Sequence, residues 1–354
     1  MNRTVTFASI LIILCIIGTF LIIGRGLLMP LVMAIFIWHL LNTINNGVKK
    51  ISIVGKQFPS GVSMLVSLLL VVGFCKILVE IITNNVADVI AATPKYQENL
   101  LAIFDKIDSR FHLKSLIGFD DAMKNINFQS IAMNMYGVFS TITSSAILIS
   151  FYVVFLFIEQ HYFEQKLEAF FVQPEHRKVV RNIISHITKD TQTYLGIKTF
   201  LGLVTSVISW MIMRAVGLDF AEFWALLIFF LTYIPNIGAI IATVFPVALA
   251  FIQFDSWLPF IEVTSGVVLL QFIIGNFLEP RLLGKSLNLS TLVILFSLAL
   301  WGYIWGILGM FLSVPITVMM MIIFAHFDAT RPLAILLSQD GYVYKAYEAL
   351  DESF

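Results

Sequence analysis

The sequence predicts an all-α polytopic membrane protein, with about six full transmembrane helices and two broken hairpins that are either re-entrant or fully spanning. Of its 354 residues, 59% are hydrophobic and only 12% are charged, against roughly 25% charged in a soluble domain. Such a chain lacks the polar surface that a soluble enzyme of this size needs. Its 22 basic residues balance 22 acidic ones, so no basic excess indicates binding to nucleic acid.

The apolar runs have the length of membrane spans. Runs of about 20 residues, at 1.5 Å rise per residue, cross a hydrocarbon layer of ~30 Å. Helices satisfy every backbone group within one segment, as lipid requires. The predicted spans are about 5–23, 27–44, 62–82, 136–158, 200–216 and 258–278.

Two further apolar segments are interrupted near their middle. Residues 223–254 carry no charge, but Pro235, Asn236 and Gly238 break the pattern, because proline removes a helix donor and glycine permits a turn. Residues 289–327 are also uncharged and are also interrupted near their middle. Their break is the glycine-rich run that contains Trp301, Gly302, Trp305, Gly306 and Gly309.

Short-loop charges set the predicted orientation. Lys49, Lys50 and Lys56 follow span two without an acid, whereas Asp219 and Glu222 follow span five without a base. The positive-inside rule then places both termini in the cytoplasm. On this topology the two hairpins enter from opposite faces, which is typical of transporters, although ordinary tight-turn helical hairpins give the same pattern.

The polar stretches complete the domain organisation. Apolar residues recur at helical spacing from Val179 to Tyr194 and predict an amphipathic helix lying along the cytoplasmic interface. The predicted parts are 1–83 (transmembrane helices 1–3), 84–135 (external polar segment), 136–158 (transmembrane helix 4), 159–198 (amphipathic cytoplasmic segment), 199–327 (transport core with both hairpins) and 328–354 (cytoplasmic tail).

Motifs for catalysis or cofactor binding are absent from the sequence. It has no HExxH, CxxC, GxxxxGK[ST] or GxSxG pattern, so no metal, no cofactor, no ATP-driven pumping and no enzyme activity is predicted. Cys15 and Cys75 lie in apolar runs and are interpreted as small hydrophobic residues. The uncharged polar groups of the hairpins suit a small neutral polyol, and close helix packing explains them equally well.

A few ionisable groups lie within or beside the spans. Gln271 and Asn276 precede Glu279, and the Glu279-Pro280-Arg281 run is predicted to end span six. A carboxylate there is a candidate for ion coupling or for a structural pair. In span three, Lys76 and Glu80 lie one turn apart and are predicted to neutralise each other, with a proton or cation pathway as the alternative.

The C-terminal half resembles the autoinducer-2 exporter family. The resemblance is carried by the runs YIPNIG (233–238), NFLEPRLLG (276–284), LSTLV (289–293), FSL (296–298), WG (301–302), GILGM (306–310) and LSVPIT (312–317). Many members have proline where Ser290 stands, and the Ser-Thr version is similar to the quorum-signal transport branch.

This resemblance implies a permease of the bacterial inner membrane that exports autoinducer-2, a small polar quorum-sensing signal, without ATPase activity. It also implies a homo-oligomer, a pentamer, with an elevator-like moving unit. The alternatives are a sodium or lithium/proton antiporter and a membrane scaffold. The predicted substrate-binding or gating residues are Pro235, Asn236, Gly238, Gln271, Asn276, Trp301, Gly302, Gly306 and Gly309, and the candidate coupling residues are Glu279, Arg281, Lys76 and Glu80.

Overall fold

The predicted all-α class is confirmed by the computed structural model. It describes residues 3–50, 52–53, 56–57, 62, 65–66, 68–70, 72–73, 76, 80–81, 88–89, 91–92, 94–103, 128–284 and 288–342. The helices are α1 (Arg3–Ile23), α2 (Arg25–Lys50), α3 (Phe128–Phe170), α4 (Pro174–Val216), α5 (Ala221–Leu231), α6 (Ile237–Gln253), α7 (Trp257–Ile273), α8 (Glu279–Leu283), α9 (Thr291–Ala325) and α10 (Arg331–Leu337). A π-helical turn (Ile274–Leu278) joins α7 to α8, and β1 (Ser52–Ile53) pairs antiparallel with β2 (Lys56–Gln57).

Five of the described helical segments are long and apolar enough to cross a membrane. They are Arg25–Val48, Ser145–Phe170, Pro174–Val216, Trp257–Leu283 and Thr291–Ala325. The last of these does not run straight, because Gly306 has non-helical dihedral angles. Helices α5 and α6 are apolar but shorter, with 11 and 17 residues.

Helices α3 and α4 are much longer than one membrane span. Each has 43 residues, or about 64 Å at the standard helical rise. The sequence predicted an amphipathic helix along the cytoplasmic interface, and its position at that interface stays a prediction. These residues are helical, but they do not form a separate helix. Residues 176–194 form the first half of α4, which continues without interruption into predicted span five. The change in composition at Lys198 is therefore not a helix boundary.

The chain reverses between α3 and α4, and charged residues line this reversal. Arg181 pairs with Glu164, and Arg177 lies 3.5 Å from Glu168. The Arg177 guanidinium also donates to the carbonyl of Phe171 in the turn. We call residues 159–170 and 174–190 the charged hairpin.

Removing one ion pair of the charged hairpin is expected to change stability little. The Arg181 and Glu164 side chains are 51% and 58% exposed, and exposed pairs contribute ~0–1 kcal/mol. Arg181→Ala should therefore lower the free energy of unfolding by less than ~1 kcal/mol, measured by thermal unfolding in detergent. A loss as large as that of a core substitution would show that this pair is shielded from solvent in the folded protein.

The chain divides into two compact units. Unit 1 comprises Met1–Ser63, Ser145–Ile197 and Leu283–Phe354, and unit 2 comprises Met64–Ser144 and Lys198–Leu282. Each unit contains one of the two predicted hairpins. Helices α5 and α6 form hairpin 1 in unit 2, and the two limbs of α9 on either side of Gly306 form hairpin 2 in unit 1.

Candidate functional site: two broken helical hairpins

Hairpin 1 reverses where the sequence predicted. Trp224 on its first limb stacks on Phe245 of the second, with ring centroids 5.9 Å apart and planes 15° apart. Residues 21 positions apart would be separated by about 31 Å on one straight helix. The two limbs therefore pack face to face along their length.

The apex of hairpin 1 is a strained tight turn. Asn236 has φ 57° and ψ −59°, and the amide of Ile237 donates to the carbonyl of Pro235 over 2.6 Å. These values describe a γ-turn with positive φ, a rare and strained conformation. Strained backbone of this kind concentrates at functional sites, so the apex is a candidate moving part.

Gly238 allows the two limbs of hairpin 1 to meet. A β-carbon at this position would lie 1.9 Å from the carbonyl oxygen of Leu231. No side chain fits there, and the neighbouring atom is backbone that cannot rotate away. Gly238 is thus required by the close approach of the limbs.

The open end of hairpin 1 is closed by polar contacts. The Gln253 amide donates to the carbonyl of Gly217 and accepts from the backbone N–H of Asp219. Tyr96, on helical residues 94–103, donates its hydroxyl to Asp219 over 2.7 Å. Burial, and then this hydrogen bond, raise the pKa of the Tyr96 phenol, so it stays protonated and donates.

The first limb of hairpin 1 runs antiparallel to α4. The Phe229 ring lies so close to Gly202 that a β-carbon there would be 3.1 Å from it. One turn further along, the hydroxyls of Thr199 and Tyr233 are 2.7 Å apart. The apex of the hairpin therefore lies beside the start of the unit-2 part of α4.

Lys198 lies at this meeting point and joins three elements. Its Nζ donates to the carbonyl of Thr232 over 2.9 Å and to Oε1 of Glu279 over 2.6 Å. The Lys198 side chain is only 3% exposed, and that of Glu279 is 25% exposed. A nearly buried charge is costly unless a partner of opposite sign compensates for its lost hydration, and Glu279 is that partner here.

The helix that carries Glu279 contains an extra residue. The amide of Glu279 bonds to the carbonyl of Ile274, five residues back. The next residue is Pro280, whose ring would otherwise clash with the carbonyl of Asn276. The widened turn removes that conflict, so the helix continues to Leu283. The prediction that Glu279-Pro280-Arg281 ends this helix is wrong.

Helix α7 packs antiparallel against α4 at a glycine. A β-carbon on Gly266 would lie 2.9 Å from Cγ2 of Ile212. Lys198 and Ile212 are 14 residues apart on α4, and their partners Glu279 and Gly266 are 13 apart in the reverse direction. The two helices therefore keep one register across about 20 Å.

Three predicted residues of this helix have different environments. The Asn276 amide donates to the carbonyl of Phe272 over 3.0 Å, so its donor is used within its own helix. Gln271 Nε2 is buried and has no hydrogen-bond partner among the described residues. Arg281 is exposed, and the carboxylate of Glu279 pairs with Lys198 instead.

Hairpin 2 also reverses where the sequence predicted. Ser297 bonds to the hydroxyl of Thr317 and, over 3.2 Å, to the carbonyl of Ser313. A straight helix would place residues 297 and 317 about 30 Å apart. The buried Ser297 hydroxyl thus links the two limbs of hairpin 2, through the hydroxyl of Thr317 and the backbone carbonyl of Ser313.

The glycines of hairpin 2 have separate roles. Gly306 has φ 66° and ψ −146°, which reverses the chain. A β-carbon on Gly309 would lie 1.9 Å from the carbonyl oxygen of Trp301, and one on Gly302 would lie 2.9 Å from the Met310 side chain. Gly309 therefore repeats in hairpin 2 the close approach that Gly238 makes in hairpin 1.

The two tryptophans of hairpin 2 pack on each other. Their ring centroids are 5.2 Å apart, and both residues are buried. Trp305 donates its indole N–H to the carbonyl of Leu21 over 3.1 Å. Stacking of a solute on Trp301 stays a prediction.

The remaining candidate residues lie apart from these contacts. Lys76 and Glu80 are helical and exposed, and no ion pair joins them within the described part of the chain. The described residues also contain no group of three or more His, Cys, Asp or Glu side chains placed to hold a metal ion.

Sequence reasoning missed Lys198, although a signal was available. Lys198 is the last charge before an uncharged run that extends to Arg214, and Glu279 is the first charge after Glu262. Charged side chains at the edge of apolar helices are rarely buried unless they are paired. Matching isolated charges of opposite sign would have suggested the pair.

Comparison with known proteins agrees with this architecture. Residues 10–329 match the AI-2E family transporter description. The chain is 26% identical over 320 residues to the AI-2 transport protein TqsA of Escherichia coli K12, which covers 88% of this chain and 89% of that protein. It is 31% identical over 291 residues to the putative transport protein YhhT of E. coli K12, covering 80% of each. A putative transport protein of Borreliella burgdorferi is 30% identical over 252 residues, 69% of this chain and 67% of that protein.

Proposed function

This chain belongs to the AI-2E transporter family, and on that premise we propose that it exports a small, uncharged polar solute, either autoinducer-2 or a similar metabolite. The movement is elevator-like and not driven by ATP. Its relatives are named as transport proteins, one of them for AI-2. What carries the proposal to this chain is a set of buried polar groups in unit 2 that have no hydrogen-bond partner within the described part of the chain.

These groups lie at one level of unit 2. Ser209 Oγ, Trp224 Nε1 and Gln271 Nε2 are all buried without a hydrogen-bond partner among the described residues. The register between α4 and α7 places Gln271 opposite residues 206–207 of α4, within one turn of Ser209. The register between α4 and hairpin 1 places Trp224 at the same level.

Buried polar groups without partners are costly, so each needs an explanation. An amide N–H, an indole N–H and a hydroxyl would donate to the oxygen atoms of a solute. The α4 sequence from Thr199 to Met213 carries no charge. The charges nearest this level are Glu222 and Arg214, which lie 3.8 Å apart and so offset each other. That chemistry favours a neutral solute rich in oxygen atoms.

Replacing Gln271 with leucine is expected to weaken binding of the solute. Losing one or two hydrogen bonds should raise KM by about tenfold, with little change in Vmax. The measurement is uptake of labelled autoinducer-2 into proteoliposomes that contain the purified chain. Gln339→Leu is the matched control, because Gln339 is exposed.

Two results would contradict the proposal. If flux of labelled autoinducer-2 equalled that of empty liposomes, autoinducer-2 would be excluded as the solute. A panel of small neutral polyols would then test the solute class. Equal KM values for Gln271→Leu and the control would exclude the level of Gln271 as the place where the solute binds.

Antiport of sodium or lithium against protons is the second candidate. One observation favours it: Glu279, a membrane-helix carboxylate, is one-quarter exposed and so remains accessible to ions. Inverted vesicles should then show sodium-dependent dequenching of a pH dye. Dequenching that persists in both Glu279→Gln and Glu80→Gln would exclude these two carboxylates as coupling groups.

We also propose the cellular setting. The chain is an inner-membrane protein of a bacterium with both termini in the cytoplasm, and the lysines of the short loop after span two support this orientation. The family resemblance favours a homo-oligomer, a pentamer.

A further inference from the structure

We propose that Lys198 is a positioning residue that holds the apex of hairpin 1 to α4, and that Glu279 balances the charge of its nearly buried side chain. Only the use of this contact in transport rests on the proposed function. The contact itself is a property of unit 2 that can be measured without any solute.

The first step concerns the carbonyl group that Lys198 binds. Thr232 follows the last residue of α5 and is its C-cap. Carbonyl groups at a helix C-terminus lack amide donors and carry the negative end of the helix dipole. An ammonium group 2.9 Å from the Thr232 oxygen therefore caps the first limb where the chain enters the turn.

The second step concerns the strain at the apex. Asn236, four residues beyond Thr232, has the unfavourable positive φ of the γ-turn. Such a conformation persists only where surrounding contacts hold it in place. Lys198, with the nearby contact between Thr199 and Tyr233, supplies such contacts from α4.

The third step concerns the charge of Lys198. A side chain that is 3% exposed would lose much of its hydration, and Glu279 compensates with a hydrogen bond of 2.6 Å. Among the described residues, the Glu279 carboxylate bonds to Lys198 and not to the apex. Lys198 therefore has the direct role, and Glu279 acts through it.

Hydrogen exchange of the apex amides in the purified full-length chain tests this proposal. Lys198→Met should raise the exchange rate of residues 232–240 by about tenfold, the effect expected when a charged cap is lost. Lys198→Arg should stay within about threefold of wild type, because a guanidinium group can also donate to both partners.

The double variant Lys198→Met/Glu279→Gln separates positioning from charge balance. It removes both charges, so no unpaired buried charge is left. If Lys198 positions the apex, exchange stays as fast as in Lys198→Met. A return to wild-type protection would show that the pair only balances charge and would overturn the proposal.

Two controls exclude trivial explanations. Lys166→Met removes an exposed lysine of the charged hairpin that pairs with Glu159, and it should leave apex exchange unchanged. Residues 301–309 of hairpin 2 serve as an internal reference, because general unfolding would accelerate exchange there as well. The specific role of Lys198 would be contradicted if exchange in Lys198→Met were no faster at residues 232–240. It would also be contradicted if exchange accelerated equally at residues 301–309.

Transport kinetics distinguish this role from solute binding. Replacing a residue that positions the apex should lower Vmax by about tenfold and change KM by less than about twofold, the reverse of Gln271→Leu. If the chain moves none of the solutes tested, hydrogen exchange still decides whether Lys198 holds the apex. Failure of the proposed function and failure of this inference are thus separate results.

Discussion

Replacing Gly309 with alanine is expected to prevent hairpin 2 from closing. The added β-carbon would lie 1.9 Å from the carbonyl oxygen of Trp301. Neither atom can rotate away, because the oxygen is a backbone atom and the backbone fixes the position of the β-carbon. The destabilisation should exceed the ~1–3 kcal/mol that overpacking usually costs. The measurement is the yield of monodisperse protein together with thermal unfolding in detergent.

Gly238→Ala should have the same effect on hairpin 1, where the distance to the carbonyl oxygen of Leu231 is also 1.9 Å. Gly275→Ala is the matched control, because a β-carbon there meets nothing within 4 Å. The control should stay within ~0.5 kcal/mol of wild type. A Gly309→Ala variant as stable as this control would mean that the limbs lie further apart than described.

Replacing Gly306 with alanine is expected to destabilise hairpin 2 for a different reason. Space is open around this residue, but its φ of 66° and ψ of −146° suit glycine alone. The cost is conformational, at least ~1–3 kcal/mol, and no change in neighbouring side chains should relieve it. Thermal unfolding of Gly306→Ala, alone and with Met310→Ala, measures this.

Gly302→Ala provides the contrast. Its β-carbon would meet the flexible Met310 side chain at 2.9 Å, so the added Met310→Ala substitution should restore most of the lost stability. Rescue of Gly306→Ala by Met310→Ala, or no rescue of Gly302→Ala, would contradict these separate roles.

The positions of both hairpins could be predicted from the sequence because they depend on local chemistry. Pro235 removes a helix donor, and Gly238 and Gly306 permit a turn or a close approach within an apolar segment. The strained conformation of Asn236 could not be predicted, since asparagine adopts many conformations in turns. The neighbouring residues Thr232 and Tyr233 contact α4, and such contacts between residues distant in sequence have no local pattern.

The Lys198 contact and the continuity of α4 were missed for a related reason. Composition changes sharply at residue 198, from charged to apolar, and this change resembles the start of a membrane helix. The helix does not stop there, because backbone hydrogen bonding continues while only the environment changes. The partner of Lys198 is 81 residues away, and no local pattern identifies it.

The π-helical turn after α7 sets the relative directions of the Gln271 and Glu279 side chains. Residues on a regular helix advance by about 100°, so Glu279 would point about 80° away from Gln271, eight residues earlier. The surplus residue in the turn takes up about 100°, which brings the two side chains to within roughly 20° of one another. The extra residue therefore aligns the Gln271 amide and the Glu279 carboxylate, which lies beside the hairpin apex, along one line of the helix.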